Sequence, residues 1–163
     1  MLKKTIQVFD PKSTTVVNTT KVIKTNEEWK KELDEETYRI TREKGTESPW
    51  TGKYTDFEGK GWFYCSSCKL YLFDANTKYH SGCGWPSFYD VISNKNVYTK
   101  EDNSIKGRPR VEVLCKQCDA HLGHVFKDGP KQTGLRYCIN SKCIDFEEKE
   151  EQEEEEIEKE EKN

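Results

Sequence analysis

Seven cysteines dominate the chemistry available to this sequence of 163 residues. Four of them form two Cys-x-x-Cys pairs, Cys65/Cys68 and Cys115/Cys118, with 46 residues between the pairs. Such a turn brings two thiolates to one ion, and two turns supply the tetrahedral four-sulfur set that zinc prefers. All four coordination positions are then filled, so we expect one structural zinc ion. Iron at the four-sulfur site and redox-active dithiols are the chemical alternatives.

Cys138 is predicted to be a reactive nucleophile. Residues 135–140 alternate with period two, so an extended strand places Arg136, Cys138 and Asn140 on one face. A neighbouring guanidinium favours the thiolate and lowers the pKa of a thiol. The alternative is a buried structural cysteine, which is a common fate of this residue type.

Two histidines upstream, His121 and His124, are candidates for proton transfer near neutral pH. They are three residues apart, so a regular strand would place them on opposite faces. A kink or bulge between them would bring both to one site, and Gly123 is suited to allow it. His80 lacks comparable partners and is predicted to be a surface residue.

The loop Ser-Gly-Cys-Gly-Trp-Pro-Ser-Phe at 81–88 presents a further thiol, Cys83, and an indole, Trp85. Glycines on both sides of Cys83 indicate mobility or a close backbone approach. An exposed Trp85 would form a platform for an apolar or methyl-bearing ligand. A core position for this aromatic residue is the alternative.

These residues must be positioned by short strands that follow two short helices. Thr25 and Glu28 predict a capping box, and a second helix is predicted from near Asp34 to Gly45. Residues 46–61 contain proline and glycine and are predicted to form a loop. Short β-type runs separated by turn signals then predict a mainly β, antiparallel architecture. The predicted strands are 61–64, 70–73, 111–114, 122–126 and 135–139.

Charge and composition divide the chain into three parts. Residues 147–163 contain 11 Glu and 3 Lys, a net charge of −8, so the −3 of the whole chain leaves +5 for residues 1–146. We expect a flexible, irregular lead-in over 1–25, one domain over 26–146 and a disordered acidic tail over 147–163. With 33% hydrophobic and 35% charged residues the core is modest, which favours stapling by a metal.

The sequence predicts a soluble protein of a reducing compartment. It has no run of about 18 apolar residues that could span a membrane, and no apolar segment of a secretory signal near the N-terminus. Seven cysteines without such a signal favour metal binding or redox catalysis over a disulfide scaffold. We therefore expect a cytoplasmic monomer. Residues 1–24 match an organellar transit peptide only weakly, which leaves organellar targeting open.

Taken together, residues 26–146 resemble a B-type methionine sulfoxide reductase. Several independent motifs in the same order carry this resemblance. They are the two Cys-x-x-Cys pairs, the loop 81–88, and the segments 29–31, 41–47, 119–126, 128–130 and 134–140. The resemblance implies two antiparallel sheets forming an open, barrel-like domain with short N-terminal helices. It also implies reduction of the R epimer of methionine sulfoxide, mainly in oxidised proteins, as repair of oxidative damage.

The resemblance also implies a role for each matched residue. Cys138 would be the nucleophile, with Cys83 as the resolving cysteine and thioredoxin as the reductant. Trp85 would pack against the substrate methyl group. The polar site positions would be His121, His124, Asp128, Arg136 and Asn140, and the zinc ligands Cys65, Cys68, Cys115 and Cys118.

The surplus thiol Cys143 is the other candidate resolver. In an extended strand it would lie about 16 Å from Cys138 and on the opposite face, whereas a disulfide needs Cα atoms within about 7 Å. Only a turn at 140–141 would bring it close, so we expect Cys83 to resolve. Residues 141–143 also depart from the small apolar residues usual in the family.

Two other functions compete with this interpretation. A zinc-ribbon-like binding module could use the positive charge of residues 1–146, but Lys and Arg are scattered and no aromatic-basic stacking motif accompanies them. We therefore expect no nucleic-acid partner. A thiol peroxidase would share the nucleophile but would have no need for Trp85.

Overall fold

The computed structural model describes residues 3–150 and 158–162, and residues 3–150 contain two α-helices and eleven β-strands. The helices are α1 (Asn26–Glu32) and α2 (Glu35–Arg42). The first six strands are β1 (Thr5–Asp10), β2 (Thr15–Thr20), β3 (Gly61–Cys65), β4 (Tyr71–Asp74), β5 (Lys78–Tyr79) and β6 (Ser87–Phe88). The remaining strands are β7 (Val97–Asp102), β8 (Arg110–Cys115), β9 (His121–Phe126), β10 (Arg136–Ile139) and β11 (Ile144–Glu148). Two 3-10 helices, Ala75–Thr77 and Ser141–Cys143, join strands.

The strands form two main antiparallel sheets and one hairpin. The larger sheet has six strands in the order β5-β6-β10-β9-β8-β7, and the smaller has the order β11-β3-β4. Strands β1 and β2 pair only with each other among the described strands. The predicted mainly β, antiparallel class is confirmed. The larger sheet stays open, with β5 and β7 at its edges.

An aromatic cluster joins the two main sheets. Phe63 on β3 and Phe88 on β6 are fully buried, with ring centroids 5.3 Å apart. Phe73 on β4 stacks on Phe88 at 4.2 Å. Edge-to-face and offset-stacked rings contribute packing energy beyond the area they bury. The sheet that carries Cys138 is thereby fixed against the sheet that carries Cys65.

The two predicted helices are present and capped as expected. Thr25 and Glu28 form both hydrogen bonds of the capping box, and the Asp34 side chain accepts from the Thr37 backbone. Helix α2 ends at Arg42, three residues before the predicted Gly45. Of the loop predicted over 46–61, residues 46–60 contain no helix or strand, and Gly61 is already the first residue of β3.

The predicted irregular lead-in is wrong, because its residues form the β1–β2 hairpin. Ile6 and Val8 alternate on the buried face of β1 and join the core. Phe9 exchanges two hydrogen bonds with the buried Asn96 side chain, at 2.7 and 3.0 Å. Beyond the hairpin, the Val22 amide donates to the Gln117 carbonyl at 2.8 Å. These long-range contacts, invisible in local sequence, order the segment.

The C-terminal strand β11 extends to Glu148, so the first two residues of the predicted acidic tail pair with β3. The rest of that tail prediction lies largely outside the described residues, which omit 151–157 and 163. Within the described part of the chain, no helix has the length and apolar character needed to cross a membrane.

Candidate active site and metal centre

The four paired cysteines converge on one point. Cys65 and Cys115 end β3 and β8, and each opens a turn that carries its partner, Cys68 or Cys118. The four sulfur atoms lie within 4.8 Å of one another, with 3.7 Å between Cys65 and Cys118 and 3.5 Å between Cys68 and Cys115. Tetrahedral zinc with bonds of about 2.3 Å separates its sulfurs by about 3.8 Å. The cluster is therefore positioned to bind a metal ion.

The two cysteine turns have the same backbone geometry. The Lys69 amide donates to the Cys65 carbonyl at 2.8 Å, and the Asp119 amide donates to the Cys115 carbonyl at 2.9 Å. Lys69 and Asp119 both adopt a left-handed conformation, with φ of 69° and 62°. Arg42 at the end of α2 donates to the Cys118 carbonyl at 2.8 Å. Equivalent turns on two different sheets thus present their sulfurs to one centre.

Cys138 lies in the middle of the larger sheet, on β10. Its neighbours across the ladder are His124 on β9 and Ser87 on β6. The alternation predicted from the sequence is present: Tyr137 and Ile139 are buried in the core. The other face of β10 lines a cavity of about 240 Å³. Its lining residues are Thr46, Cys83, Trp85, Arg110, Gly123, His124, Phe126, Arg136, Cys138 and Asn140.

Cys83 and Cys138 are adjacent in this cavity, with 3.7 Å between their sulfur atoms. The hydrogen bond from Cys138, with others from Ser81 and Ser87, lowers the pKa of Cys83 to about 4. The same contact, together with burial, raises the pKa of Cys138, and Arg136 opposes this shift. The expected net lowering of the Cys138 pKa is therefore wrong while Cys83 lies beside it, although the guanidinium acts in the predicted direction. Because the two sulfurs are in contact, the protonation of one thiol shifts the pKa of the other.

Arg136 on β10 lines the cavity, and its guanidinium is bound by a carboxylate that lies outside the cavity. Asp128 binds its guanidinium in a bidentate manner, at 2.9 and 3.2 Å. The guanidinium also stacks on the Phe126 ring, 4.4 Å from its centroid. Asp128 is exposed and does not line the cavity, so it acts on a ligand only through Arg136.

The indole of Trp85 is half-buried and forms part of the cavity wall. Its Nε1–H donates to the Glu47 carbonyl at 3.0 Å, which fixes the ring's orientation. Glu47 also donates its amide to Asn140 Oδ1 at 3.0 Å, while Asn140 Nδ2 donates to the Leu122 carbonyl. Glu47 therefore connects the 81–88 loop to the end of β10.

A bulge in β9 brings the two histidines to the same face. Gly123 pairs with Val113, but His121 pairs with Leu114, so Leu122 is an extra residue opposite β8. Gly123 is needed for another reason: a Cβ there would lie 2.0 Å from the Cys138 carbonyl oxygen. The histidine ring centroids are 5.4 Å apart.

Each histidine is paired with its own carboxylate. His124 Nε2 lies 2.7 Å from Asp102 Oδ2, and His121 Nδ1 lies 2.6 Å from Glu112 Oε2. Only His124 lines the cavity; His121 is 3% exposed and lies behind it. Burial lowers the pKa of His121. His124 is thus the histidine that a ligand in the cavity would meet.

Cys143 is not among the residues that line the cavity. It is fully buried in the 3-10 helix Ser141–Cys143, and its thiol donates to the His121 carbonyl at 3.1 Å. The third histidine, His80, is exposed and pairs with Glu58 at 3.0 Å. Neither residue is positioned to react with a ligand bound beside Cys138.

Several residues of the site escaped the sequence analysis, among them Asp102, Arg110, Glu112 and Glu47. The first three lie on the hairpin formed by β7 and β8, and β7 was not predicted. The alternation of Val97, Thr99 and Glu101 with Tyr98, Lys100 and Asp102 is too polar to read as a strand. Tertiary pairing alone brings these charges to the histidines.

Comparison with known proteins agrees with this geometry. The family described as the SelR domain matches residues 33–148. A peptide methionine sulfoxide reductase MsrB of Pseudomonas putida (strain W619) is 57% identical over 126 residues, which are 77% of this chain and 94% of the relative. The MsrB of Pseudomonas syringae pv. syringae (strain B728a) is 55% identical over 125 residues, 77% of this chain and 95% of the relative.

The domain match covers both cysteine turns, the 81–88 loop and the whole of β10. Identity above half extends over nearly the full length of these relatives. The chain therefore belongs to the MsrB family of peptide methionine sulfoxide reductases, which are oxidoreductases.

Proposed function

We propose that the protein reduces the R epimer of methionine sulfoxide in oxidised proteins, using Cys138 as nucleophile and Cys83 as resolving cysteine. The observation that carries this proposal is the 3.7 Å approach of the two sulfurs in a cavity walled by Trp85 and His124. A sulfoxide placed there would meet a nucleophile, a proton-transfer group and an apolar surface at once.

The first step transfers oxygen from the substrate to Cys138. Cys138 loses its proton to solvent, favoured by the Arg136 guanidinium, and its thiolate attacks the sulfoxide sulfur. A proton is delivered to the oxygen, the bond between oxygen and the methionine sulfur breaks, and the oxygen remains on Cys138 as a sulfenic acid. Methionine sulfur is reduced by two electrons while the Cys138 sulfur is oxidised by two.

The second step closes a disulfide and restores the enzyme. Cys83 attacks the Cys138 sulfenic acid, which forms the sulfur–sulfur bond and releases water. The sulfurs must approach from 3.7 Å to about 2.05 Å, a movement that the glycine-flanked loop of Cys83 can supply. An external dithiol such as thioredoxin then reduces the disulfide by thiol exchange.

Substrate selection follows from the walls of the cavity. The half-buried indole of Trp85 offers an apolar face for the sulfoxide methyl group. Arg136 and His124 lie on the polar side, where the sulfoxide oxygen would sit. A chiral sulfur places its methyl, oxygen and side-chain substituents in a fixed order, so only one epimer satisfies both walls.

The four-cysteine cluster is proposed to hold one zinc ion. All-sulfur ligands suit zinc, and Cys65, Cys68, Cys115 and Cys118 would fill its four positions. The ion would supply no chemistry to the reaction and would pin the turn after β3 to the turn after β8.

An epimer-resolved assay tests the function. Purified protein is incubated with dithiothreitol and a peptide carrying either the R or the S sulfoxide, and the methionine formed is quantified. We expect turnover of the R epimer alone and its loss in Cys138→Ser, which should retain its metal content. Reduction of the S epimer, or turnover by Cys138→Ser, would contradict the proposal.

A further inference from the structure

We propose that Asp102 is a positioning residue that holds His124 through Nε2, so that the other ring nitrogen, Nδ1, delivers the proton to the sulfoxide oxygen. The inference deepens the proposed function and rests on it, because it assigns the proton that the first step requires. Nothing in the sequence pattern connects Asp102 to the site, since 22 positions separate it from His124.

The Asp102 carboxylate lies where it can accept hydrogen bonds from the His124 imidazole and the Arg110 guanidinium. Its Oδ2 lies 2.7 Å from His124 Nε2 and 3.3 Å from a guanidinium nitrogen of Arg110, while Oδ1 accepts from the Ser104 amide at 3.0 Å. Hydrogen bonds from Ser104 and His124 lower the pKa of the Asp102 carboxyl below its ordinary value. Asp102 is therefore ionised at neutral pH and cannot donate, so the proton between it and His124 belongs to Nε2.

The strand register aims the imidazole at the nucleophile. His124 lies directly opposite Cys138 on the neighbouring strand, and it is 7% exposed. With Nε2 committed to Asp102, Nδ1 is the ring nitrogen left for a ligand in the cavity. A histidine whose one nitrogen is anchored by a carboxylate has both its ring orientation and its tautomer fixed.

Charged groups from four strands surround this imidazole. The carboxylates around it are Asp102 on β7, which binds its Nε2, and Glu112 on β8, its cross-strand partner. The cations around it are Arg110 on β8 and Arg136 on β10, which line the same cavity. The other titratable groups beside it are His121 on β9, 5.4 Å away between rings, Cys138 on β10 and Cys83 in the loop 81–88.

His121 is the weaker candidate for this role. It is also paired with a carboxylate, Glu112, but burial lowers the pKa of its imidazole. It does not line the cavity, and its Nε2 is buried without a hydrogen-bond partner. A neutral, enclosed imidazole supports the ring in front of it instead of reaching the substrate.

The proton balance of the step is simple. His124 carries protons on both nitrogens before the step, gives the Nδ1 proton to the transferred oxygen and keeps the Nε2 proton on the hydrogen bond to Asp102. The neutral imidazole then takes a proton from solvent. Oxygen ends on Cys138 as S–OH, and methionine leaves without a charge.

The test compares pH–rate profiles of Asp102→Asn and wild type. Single-turnover formation of methionine from an R-sulfoxide peptide is measured from about pH 5 to about pH 9. Loss of the carboxylate disfavours the imidazolium, so the alkaline limb of the profile should move to lower pH by about one unit. The rate near pH 8 should then fall by about tenfold while the rate at the acidic end changes little.

Glu101→Gln is the matched control. Glu101 adjoins Asp102 on β7 but is exposed, so this variant removes the same charge without touching His124. Its profile should overlay that of wild type. The assignment of Asp102 would be overturned if the alkaline limb of the pH–rate profile did not move in a folded Asp102→Asn variant. It would also be overturned if that limb moved equally in Glu101→Gln.

A second measurement needs no variant of Asp102. Ring-nitrogen NMR shifts of protein labelled in its histidines, with His124 assigned from His124→Gln, report the tautomer of neutral imidazole. We expect the Nε2–H tautomer at His124; the Nδ1–H tautomer would overturn the inference even if Asp102→Asn fails to fold. Absence of any R-sulfoxide reduction by wild type would instead refute the proposed function and leave the tautomer result standing.

Discussion

At the scale of single residues, the site is a pair of thiols whose titration is shared. The Cys83 and Cys138 sulfurs lie 3.7 Å apart, and the Arg136 guanidinium acts to lower the pKa of Cys138. The anion of the resting pair is favoured at Cys83, where Ser81 and Ser87 donate hydrogen bonds. A resolving cysteine that starts as a thiolate needs no separate base before it attacks the sulfenic acid.

The contribution of Arg136 can be isolated in a Cys83→Ser background, where Cys138 stands alone. Because the guanidinium lowers the pKa of Cys138, adding Arg136→Met should move the midpoint of Cys138 alkylation by iodoacetamide to higher pH, by about one unit. The alkylation rate is measured across pH by mass spectrometry. Arg108→Met removes an exposed cation elsewhere and should leave the midpoint in place; an equal shift there would indicate a general charge effect.

The resolving cysteine is tested by comparing Cys83→Ser with Cys143→Ser. Cys83→Ser should form about one methionine per chain and then stop with thioredoxin as reductant, because the sulfenic acid has no partner thiol. Cys143→Ser should recycle, since Cys143 is fully buried and bonded to the His121 carbonyl. Continued turnover by Cys83→Ser would show that another thiol resolves.

At the scale of elements, the N-terminal hairpin is the addition that the SelR match, which starts at residue 33, does not include. It is attached at both ends. Asn96 bonds Phe9 on one side and the Tyr71 carbonyl on the other, and Lys21 bonds the Lys116 carbonyl and Asp119 beside the second cysteine turn. These hydrogen bonds attach the hairpin to the rest of the domain, close to the second cysteine turn.

Asn96→Ala should destabilise the fold by about 3 kcal/mol, because the buried Asn96 side chain makes three hydrogen bonds to backbone groups of Phe9 and Tyr71. Urea unfolding followed by tryptophan fluorescence gives the free energy of unfolding. Asn103→Ala, at an exposed position, is the control and should change the free energy by less than about 0.5 kcal/mol. Equal stability of the two variants would mean that the hairpin is not held through Asn96.

At the scale of the whole molecule, the metal centre and the active site use different cysteines but the same sheet. Strand β8 carries Cys115 at one end and Arg110 at the other, and β9 runs from the second cysteine turn to His124. Loss of the metal would free these strand ends. The cluster is therefore expected to stabilise the register on which the site depends.

Cys118→Ser, or removal of metal by a chelator, should lower the melting temperature by at least about 10 °C, because binding of a structural ion contributes to folding directly. Calorimetry and elemental analysis measure the two quantities, with one zinc per chain expected in wild type. Cys138→Ser should keep both the ion and the melting temperature. An unchanged melt in Cys118→Ser would argue against a structural ion.

Local pattern was sufficient to predict part of this molecule from its sequence. The spacing of the two cysteine pairs predicted the cluster, and the period of a strand predicted that Arg136, Cys138 and Asn140 share a face. Both depend only on backbone geometry over a few residues. The capping box at Thr25 and Glu28 was predictable for the same reason.

Tertiary structure alone decided the rest, because it depends on which strands pair and in what register. Cys83 meets Cys138 across 55 positions, and Asp102 meets His124 only because β7, β8 and β9 are neighbours. The lowered pKa of Cys83 and the raised pKa of Cys138 both follow from the contact between the two sulfurs and not from residues adjacent in sequence. Sequence by itself determined which groups could react; the sheet decided which thiol holds the charge, because that depends on which groups lie within a few ångströms.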